Sequence, residues 1–292
     1  MKDLAESTVA IVGLGLMGGS LALALRERQV CRRILAVTRD GETRRAAVAS
    51  GSVDAAGADL RLAGEADLVV LATPVRNIKE QMRAVGAVAK PGAIVMDLGS
   101  TKREVTQALV ELPAGLEPIG AHPMCGKETS GFGAAEAALY RNAVFVLTPL
   151  ERTAPETVAW AQALVSGIGA RPLLLAAERH DEIVGTVSHL PYLVAVALMA
   201  TADDQAGREE LLYTLAASGF RDTTRVAAKE TAVMLDILLT NKDNVAPVAR
   251  ACAANLAKLA ELLESADEGA LRQYLEAAAV SRRSLFPRQR PA

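Results

Sequence analysis

Val9-Ala10-Ile11-Val12-Gly13-Leu14-Gly15-Leu16-Met17-Gly18-Gly19-Ser20 is an apolar run that ends in Gly-x-Gly-x-x-Gly and continues into Leu21-Ala22-Leu23-Ala24-Leu25. It reads as strand, tight turn and helix. Gly13 permits the turn, Gly15 removes the side chain that would hold a pyrophosphate off the backbone, and Gly18 lets the helix pack on the strand. Leu16 and Met17 open the helix, whose free N–H groups and positive dipole end face the phosphates. Glycines alone mark no more than a flexible turn. The flanking strand and helix patterns make this stretch a dinucleotide cradle.

With 292 residues the chain has room for two domains and a ligand cleft between them. Its hydrophobic content of 51% includes only 3% aromatic and is carried by Ala, Leu and Val, a helix-rich composition. A net charge of -2 without a basic stripe speaks against nucleic acid as a partner. Cys31, Cys125 and Cys252 are too dispersed for a disulfide framework or a zinc site, so a reducing compartment and no metal are expected. No signal-peptide core follows Met1, and no apolar run approaches the ~18 residues of a membrane span. The expectation is a cytoplasmic protein with a small-molecule substrate and no membrane partner.

Beyond the opening motif, residues 34–37 read as a second strand ending in Thr38-Arg39-Asp40. The residue at this strand end meets the adenosine ribose: an acidic side chain accepts from the 2′-OH of NAD, whereas an Arg beside a neutral residue accommodates the 2′-phosphate of NADP. Thr38 in that slot with Arg39 beside it favours NADP; a register slip of two presents Asp40 instead and favours NAD. The near-continuous apolar run 67–75 predicts a strand buried on both faces, with Thr73 and Pro74 where cofactor-facing loops leave the sheet. A helix over 78–88 and a strand over 93–97 lead to Ser100, Thr101 and Lys102, at the carboxyl end where ligands sit in open α/β sheets. A helix cap followed by a solvated lysine explains the same three residues without function.

A helix over 104–112 precedes a further strand end and a polar loop running from His122 to Gly131. Strands over 143–148 and 171–175 flank a helix over 155–168. From 178 onward the strand signal vanishes, and helical patterns run over 178–201, 208–217, 229–239, 244–264 and 268–283. The tail 287–292 is expected to fray. The fold class expected is α/β: a Rossmann-like, mostly parallel sheet domain over 1–172, then an all-helical domain over 173–292.

Hydride transfer from an alcohol carbon to a nicotinamide needs a base for the hydroxyl proton, and neutral imidazole suits pH 7. Of the three histidines, His122 follows a sheet strand and is the better base. His180, in the charged helix start Glu178-Arg179-His180-Asp181-Glu182, reads as a surface residue. His189 lies in Ser188-His189-Leu190-Pro191-Tyr192, where Pro191 kinks a helix, and either lines a site or is bonded within the core. Ser218-Gly219-Phe220-Arg221-Asp222-Thr223-Thr224-Arg225 breaks two helices with more polar groups than a turn requires. Its arginines can clamp a carboxylate or form an exposed capping pair. Asn241-Lys242-Asp243-Asn244 is a similar, weaker break.

Taken together, Gly13-Leu14-Gly15-Leu16-Met17-Gly18-Gly19-Ser20, His122-Pro123-Met124-x-Gly126-x-Glu128, Ser188-His189-Leu190-Pro191 and Gly219-Phe220-Arg221-Asp222-x-Thr224-Arg225 resemble the prephenate and arogenate dehydrogenase family of tyrosine biosynthesis. The resemblance spans about 8–260. It implies a nucleotide-binding domain, a helical domain that forms a homodimer, and oxidative decarboxylation of a cyclohexadienol with NAD or NADP as hydride acceptor. It also implies that His122 is the base, oriented by a hydroxyl of the Ser100–Thr101 pair. Arg225 matches the arginine for the ring carboxylate, Glu128 an acidic residue guarding the side-chain end of the substrate, and Asp222 a residue positioning Arg225 or the loop. Tyr192 stands where many members have a second histidine, and Lys127 where small polar residues are common, so both are substrate-contact candidates beside His189. The neutral Thr38 with Arg39 resembles the NADP-using branch, which leans towards arogenate. Two rivals remain at this point: a β-hydroxyacid dehydrogenase using Lys229 or Lys242, and a non-catalytic NADP-binding sensor.

Overall fold

The computed structural model describes residues 3–286, so the tail 287–292 lies outside the described residues. Strand β1 (Thr8–Val12) is buried at every position, as a parallel strand covered on both faces must be. Its alternation feeds two cores. Val9 and Ile11 join Leu21 and Leu25 of helix α1 (Leu16–Glu27) on one face, while Ala10 and Val12 join the opposite face.

The sheet half continues with β2 (Arg33–Val37), α2 (Gly41–Ala49), β3 (Ala55–Gly57), β4 (Leu68–Leu71), α3 (Val75–Val88), β5 (Ile94–Asp97) and α4 (Arg103–Val110). Then come β6 (Glu117–Pro123), β7 (Val144–Pro149), α5 (Pro155–Gly167) and β8 (Arg171–Leu174). The eight strands lie in the order β3-β2-β1-β4-β5-β6-β7-β8. All neighbours pair in parallel except β6 and β7, which are antiparallel. The order reverses direction between β1 and β4, so the carboxyl ends of those two strands open a crevice for a ligand. Strand β3 escaped the sequence reading because Ala55-Ala56-Gly57 has no strand pattern of its own; pairing with Leu35, Ala36 and Val37 supplies it.

The helical half comprises α6 (Ala177–Val184), a π-helical turn (Gly185–His189), α7 (Leu190–Ala206), α8 (Ser218–Thr224), α9 (Thr231–Thr240), α10 (Lys242–Glu264) and α11 (Glu268–Leu285). Three expectations are corrected here. Residues 208–217 form turns rather than a helix, and the polar stretch expected to break helices is itself α8. Leu211 and Leu215 are exposed, so the apolar period of 208–217 has nothing within the chain to pack on, and tertiary packing is what holds most protein helices. The third correction concerns length. Ala177–Ala206 does hold an 18-residue window of mean hydropathy 1.8, long and apolar enough to cross a membrane by length and composition. Ser188, His189 and Pro191 punctuate it, which made it read as broken. Helices α10 and α11 bury almost nothing within the chain: Val245 is the one buried residue of the first, and the second has none. Leu256, Leu263, Leu275 and Val280 present a large apolar surface there.

Candidate active site

At the β1–β4 crevice each glycine of the opening motif has a separate reason. Gly13 has φ +99°, and a Cβ there would stand 2.7 Å from Thr73 Cγ2 and 2.8 Å from the Ala72 carbonyl. A Cβ on Gly18 would fall 1.9 Å from the Gly13 carbonyl, so turn and helix cannot approach with any other residue. Gly15 differs: nothing lies within 4 Å of its Cβ position, and as N-cap of α1 it puts no side chain on the free N–H groups. The space held open there fits a pyrophosphate on a helix N-terminus. One cavity of about 560 Å³, lined by Gly13, Thr38, Arg39, Asp40 and Asn77, lies to one side. Another of about 350 Å³ is lined by Gly15, Leu16, Met17, Ser100, Lys127, Glu128, Lys229 and Met234. Thr73 and Pro74 line both, so the two adjoin in a trough at the carboxyl ends of β1 and β4. Asp40 caps α2, accepting from the N–H groups of Glu42 (3.2 Å) and Thr43 (2.9 Å). Its carboxylate is committed to the helix, and Thr38 directly follows the last residue of β2.

His122 sits near the end of β6, and its Nδ1 is 2.8 Å from Nε2 of His180. His180 is fully buried, which overturns its reading as a surface residue. Its Nδ1 lies 2.7 Å from Asp181 Oδ1. Asp181 also accepts from the backbone N–H groups of Lys102 (2.7 Å) and Arg103 (2.9 Å), at the start of α4. Burial works against this carboxylate, but the bonds from His180 and the two N–H groups outweigh it and hold its pKa below the usual range. An ionised Asp181 can only accept, so His180 Nδ1 donates to it, and in the neutral form of that ring Nε2 accepts. His122 therefore donates through Nδ1, leaving a lone pair on Nε2. Burial, followed by the neighbouring His180, Lys102 and His189, holds the His122 pKa well below the ordinary 6.5. The imidazole is neutral at pH 7 and carries a free basic nitrogen.

Beneath this relay lies a buried ion pair. Lys102 and Asp97, each with no exposed side-chain surface, are joined directly, and Lys102 Nζ also donates to the Ala121 carbonyl (2.6 Å). Asp97 accepts in addition from the N–H groups of Gly99 (2.7 Å) and Ala121 (3.0 Å). The residue preceding His122 is thus clamped through both backbone polar groups. Burial draws the Lys102 pKa down against the attraction of Asp97 and Asp181.

The expected orienting hydroxyl is not what binds His122 Nδ1; His180 is. Thr101 is buried with its Oγ1 2.9 Å from Thr240 Oγ1, tying the two halves together, while Ser100 lines the cavity. His189 is buried, and its Nδ1 accepts from Asn241 Nδ2 at 3.1 Å. Asn241 Nδ2 also donates to the Asp181 carbonyl (2.7 Å), so the polar break at Asn241 belongs to the same network. Burial lowers the His189 pKa to about 4. Tyr192 packs against Met234 and Ile237, and these two side chains, rather than Tyr192, line the cavity.

At the mouth, Arg225 is paired with Glu128. Asp222 pairs instead with Arg221 at 3.7 Å, both exposed, so the expected Asp222–Arg225 contact is absent. Lys127 is held by Glu136 at 2.7 Å. Sequence reasoning missed His180, Asp181 and Asn241 as site residues; the charged neighbours of the first two hid a pair buried from a distance of some 79 residues along the chain.

Residues 21–174 match the family model described as the prephenate dehydrogenase nucleotide-binding domain, and residues 176–277 match the prephenate dehydrogenase dimerization domain. Prephenate dehydrogenase of Bacillus subtilis is 33% identical over all of this chain and 78% of its own length. The crystal structure of prephenate dehydrogenase from Aquifex aeolicus, in complex with hydroxyphenyl propionate and NAD+, superposes with a TM-score of 0.90 at 30% identity, covering 97% of this chain and 100% of that one. Synechocystis arogenate dehydrogenase superposes with a TM-score of 0.81 at 32% identity, covering 96% of this chain and 100% of that one. A dinucleotide trough, a neutral histidine backed by a buried relay and both halves matched in order leave one assignment: the chain belongs to the prephenate dehydrogenase family.

Proposed function

We propose that the chain oxidatively decarboxylates prephenate or arogenate, prefers NADP to NAD, and works as a homodimer paired through its helical half. The observation that carries this reading is the Asp181–His180–His122 relay, which leaves His122 Nε2 as a free base at the end of β6. Gly15, Met17, Thr73 and Pro74 would hold the nicotinamide dinucleotide, which accepts the hydride from the ring carbon bearing the hydroxyl. His122 Nε2 takes the hydroxyl proton as that carbon becomes a carbonyl. The bond to the ring carboxylate then breaks, its electron pair enters the ring, CO2 leaves, and the aromatic phenolate recovers the proton from His122. Aromatisation drives the sequence. The imidazolium formed in between donates through Nδ1 to His180, whose own proton is anchored on Asp181. Ser100 stands in the cavity wall, and Arg225 receives the ring carboxylate by exchanging Glu128 for it.

Arg39, with no carboxylate paired to it among the described residues, supports the NADP preference, because Asp40 is occupied in capping α2. The apolar surfaces of α10 and α11 support the dimer. Three free thiols agree with a cytoplasmic setting. The test is His122→Asn, which keeps the ring's hydrogen-bonding size but removes the base. Turnover is expected to fall by about 10²–10⁴ with cofactor affinity retained; turnover within threefold of the parent contradicts the mechanism.

A further inference from the structure

We propose that Lys229 is a specificity-determining residue, whose ammonium receives the side-chain carboxylate of the substrate and favours the keto acid prephenate over the amino acid arogenate. This inference rests on the oxidative decarboxylation read above. Lys229 lies between the 3-10 turn Arg225–Ala228 and α9, half-buried, in the wall of the same cavity as Ser100 and Glu128. The wall also holds Lys127, Glu128 and Glu230; Lys127 is paired with Glu136, and Arg225, the cation nearest Lys229, is paired with Glu128. Among the described residues no carboxylate comes within ion-pairing reach of Lys229. Burial, and then the Arg225 guanidinium, pull its pKa below the ordinary 10.5. A partly desolvated ammonium beside a second cation is unfavourable until an anion arrives.

The substrate's chemistry matches this pairing of cations. In prephenate one ring carbon, across the ring from the hydroxyl that meets His122, bears one carboxylate directly and the other at the end of a CH2–CO arm. Two neighbouring cations, Arg225 and Lys229, can therefore each take one. Arogenate carries an ammonium beside the side-chain carboxylate, and a like charge set against Lys229 opposes binding.

Lys229→Met keeps the length of the side chain and removes its charge. Initial rates with each substrate and saturating NADP are expected to show KM for prephenate rising about tenfold, equivalent to about 1.4 kcal/mol, with kcat changed far less. KM for arogenate should stay level or fall, and Lys229→Arg should keep the prephenate preference. An equal rise for both substrates overturns the proposal, as does a rise confined to KM for NADP, which would put the ammonium on a cofactor phosphate. A parent enzyme that prefers arogenate overturns it too. Should the Met variant not fold, Lys229→Gln is read on the same scale. Failure of the parent enzyme to turn over either substrate defeats the decarboxylase reading itself, an outcome separate from unchanged ratios in an active Lys229→Met enzyme.

Discussion

Two ion pairs of the candidate site differ in almost everything. Lys102 and Asp97 have no exposed side-chain surface, while Arg225 and Glu128, the latter in the cavity wall, have side chains 58% and 40% exposed. Breaking a buried pair leaves an uncompensated charge and costs about 3–5 kcal/mol, whereas an exposed pair is worth about 0–1 kcal/mol. The inner pair therefore fixes geometry: through Ala121 it sets the end of β6, and with it His122. The outer pair gives up little when it changes partners, which suits the proposed exchange of Glu128 for a substrate carboxylate. The proton end of the site is rigid and the recognition end is exchangeable.

The largest effect expected from this contrast is at Lys102. Lys102→Met should lower the unfolding free energy by about 3–5 kcal/mol, read as a drop in the urea midpoint at constant slope. A loss below about 1 kcal/mol would mean that the inner pair is no more important than the outer one. Next comes Asp181→Asn, which removes the anchor that sets the His180 proton. Its kcat should fall about 10- to 100-fold while KM holds, because the base survives but its tautomer is no longer enforced. A change confined to KM would place Asp181 outside the relay. At the far rim, Arg39→Ala should raise KM for NADP about tenfold more than KM for NAD, the loss of one charge-assisted phosphate contact; equal effects defeat the NADP preference. Smallest of all, Asp222→Ala should alter stability by less than about 0.5 kcal/mol, because its pair with Arg221 is solvated on both sides.

The same contrast explains what could be read from residues alone. The Gly13–Gly18 turn, the buried strands and the strand-end position of His122 are local patterns, and each is present in the fold. The buried relay is not local. Glu178, Arg179 and Glu182 surround His180 with charge, yet α6 docks on the first turn of α4, and the N–H groups of Lys102 and Arg103 draw Asp181 inward. Asn241 looked like a helix break, and only the meeting of α6, the π-helical turn and α10 makes it a bridge between Asp181 and His189. Tyr192 resembled a substrate contact by its place in a motif. Packing against Met234 and Ile237 sets it behind the cavity wall instead. Arg225 was legible as a cation of the site, but its partner was not: Asp222 is nearer in sequence, and Glu128 across the mouth wins.

The central claim, that one active site couples hydride transfer to loss of the ring carboxylate, is tested most directly by product stoichiometry. The enzyme is incubated with NADP and prephenate or arogenate, and reduced cofactor, CO2 and aromatic product are measured together. The account predicts one reduced cofactor and one CO2 for each hydroxyphenyl product, with no net release of protons for either substrate. Cofactor reduction without CO2, or aromatisation without cofactor reduction, would contradict it.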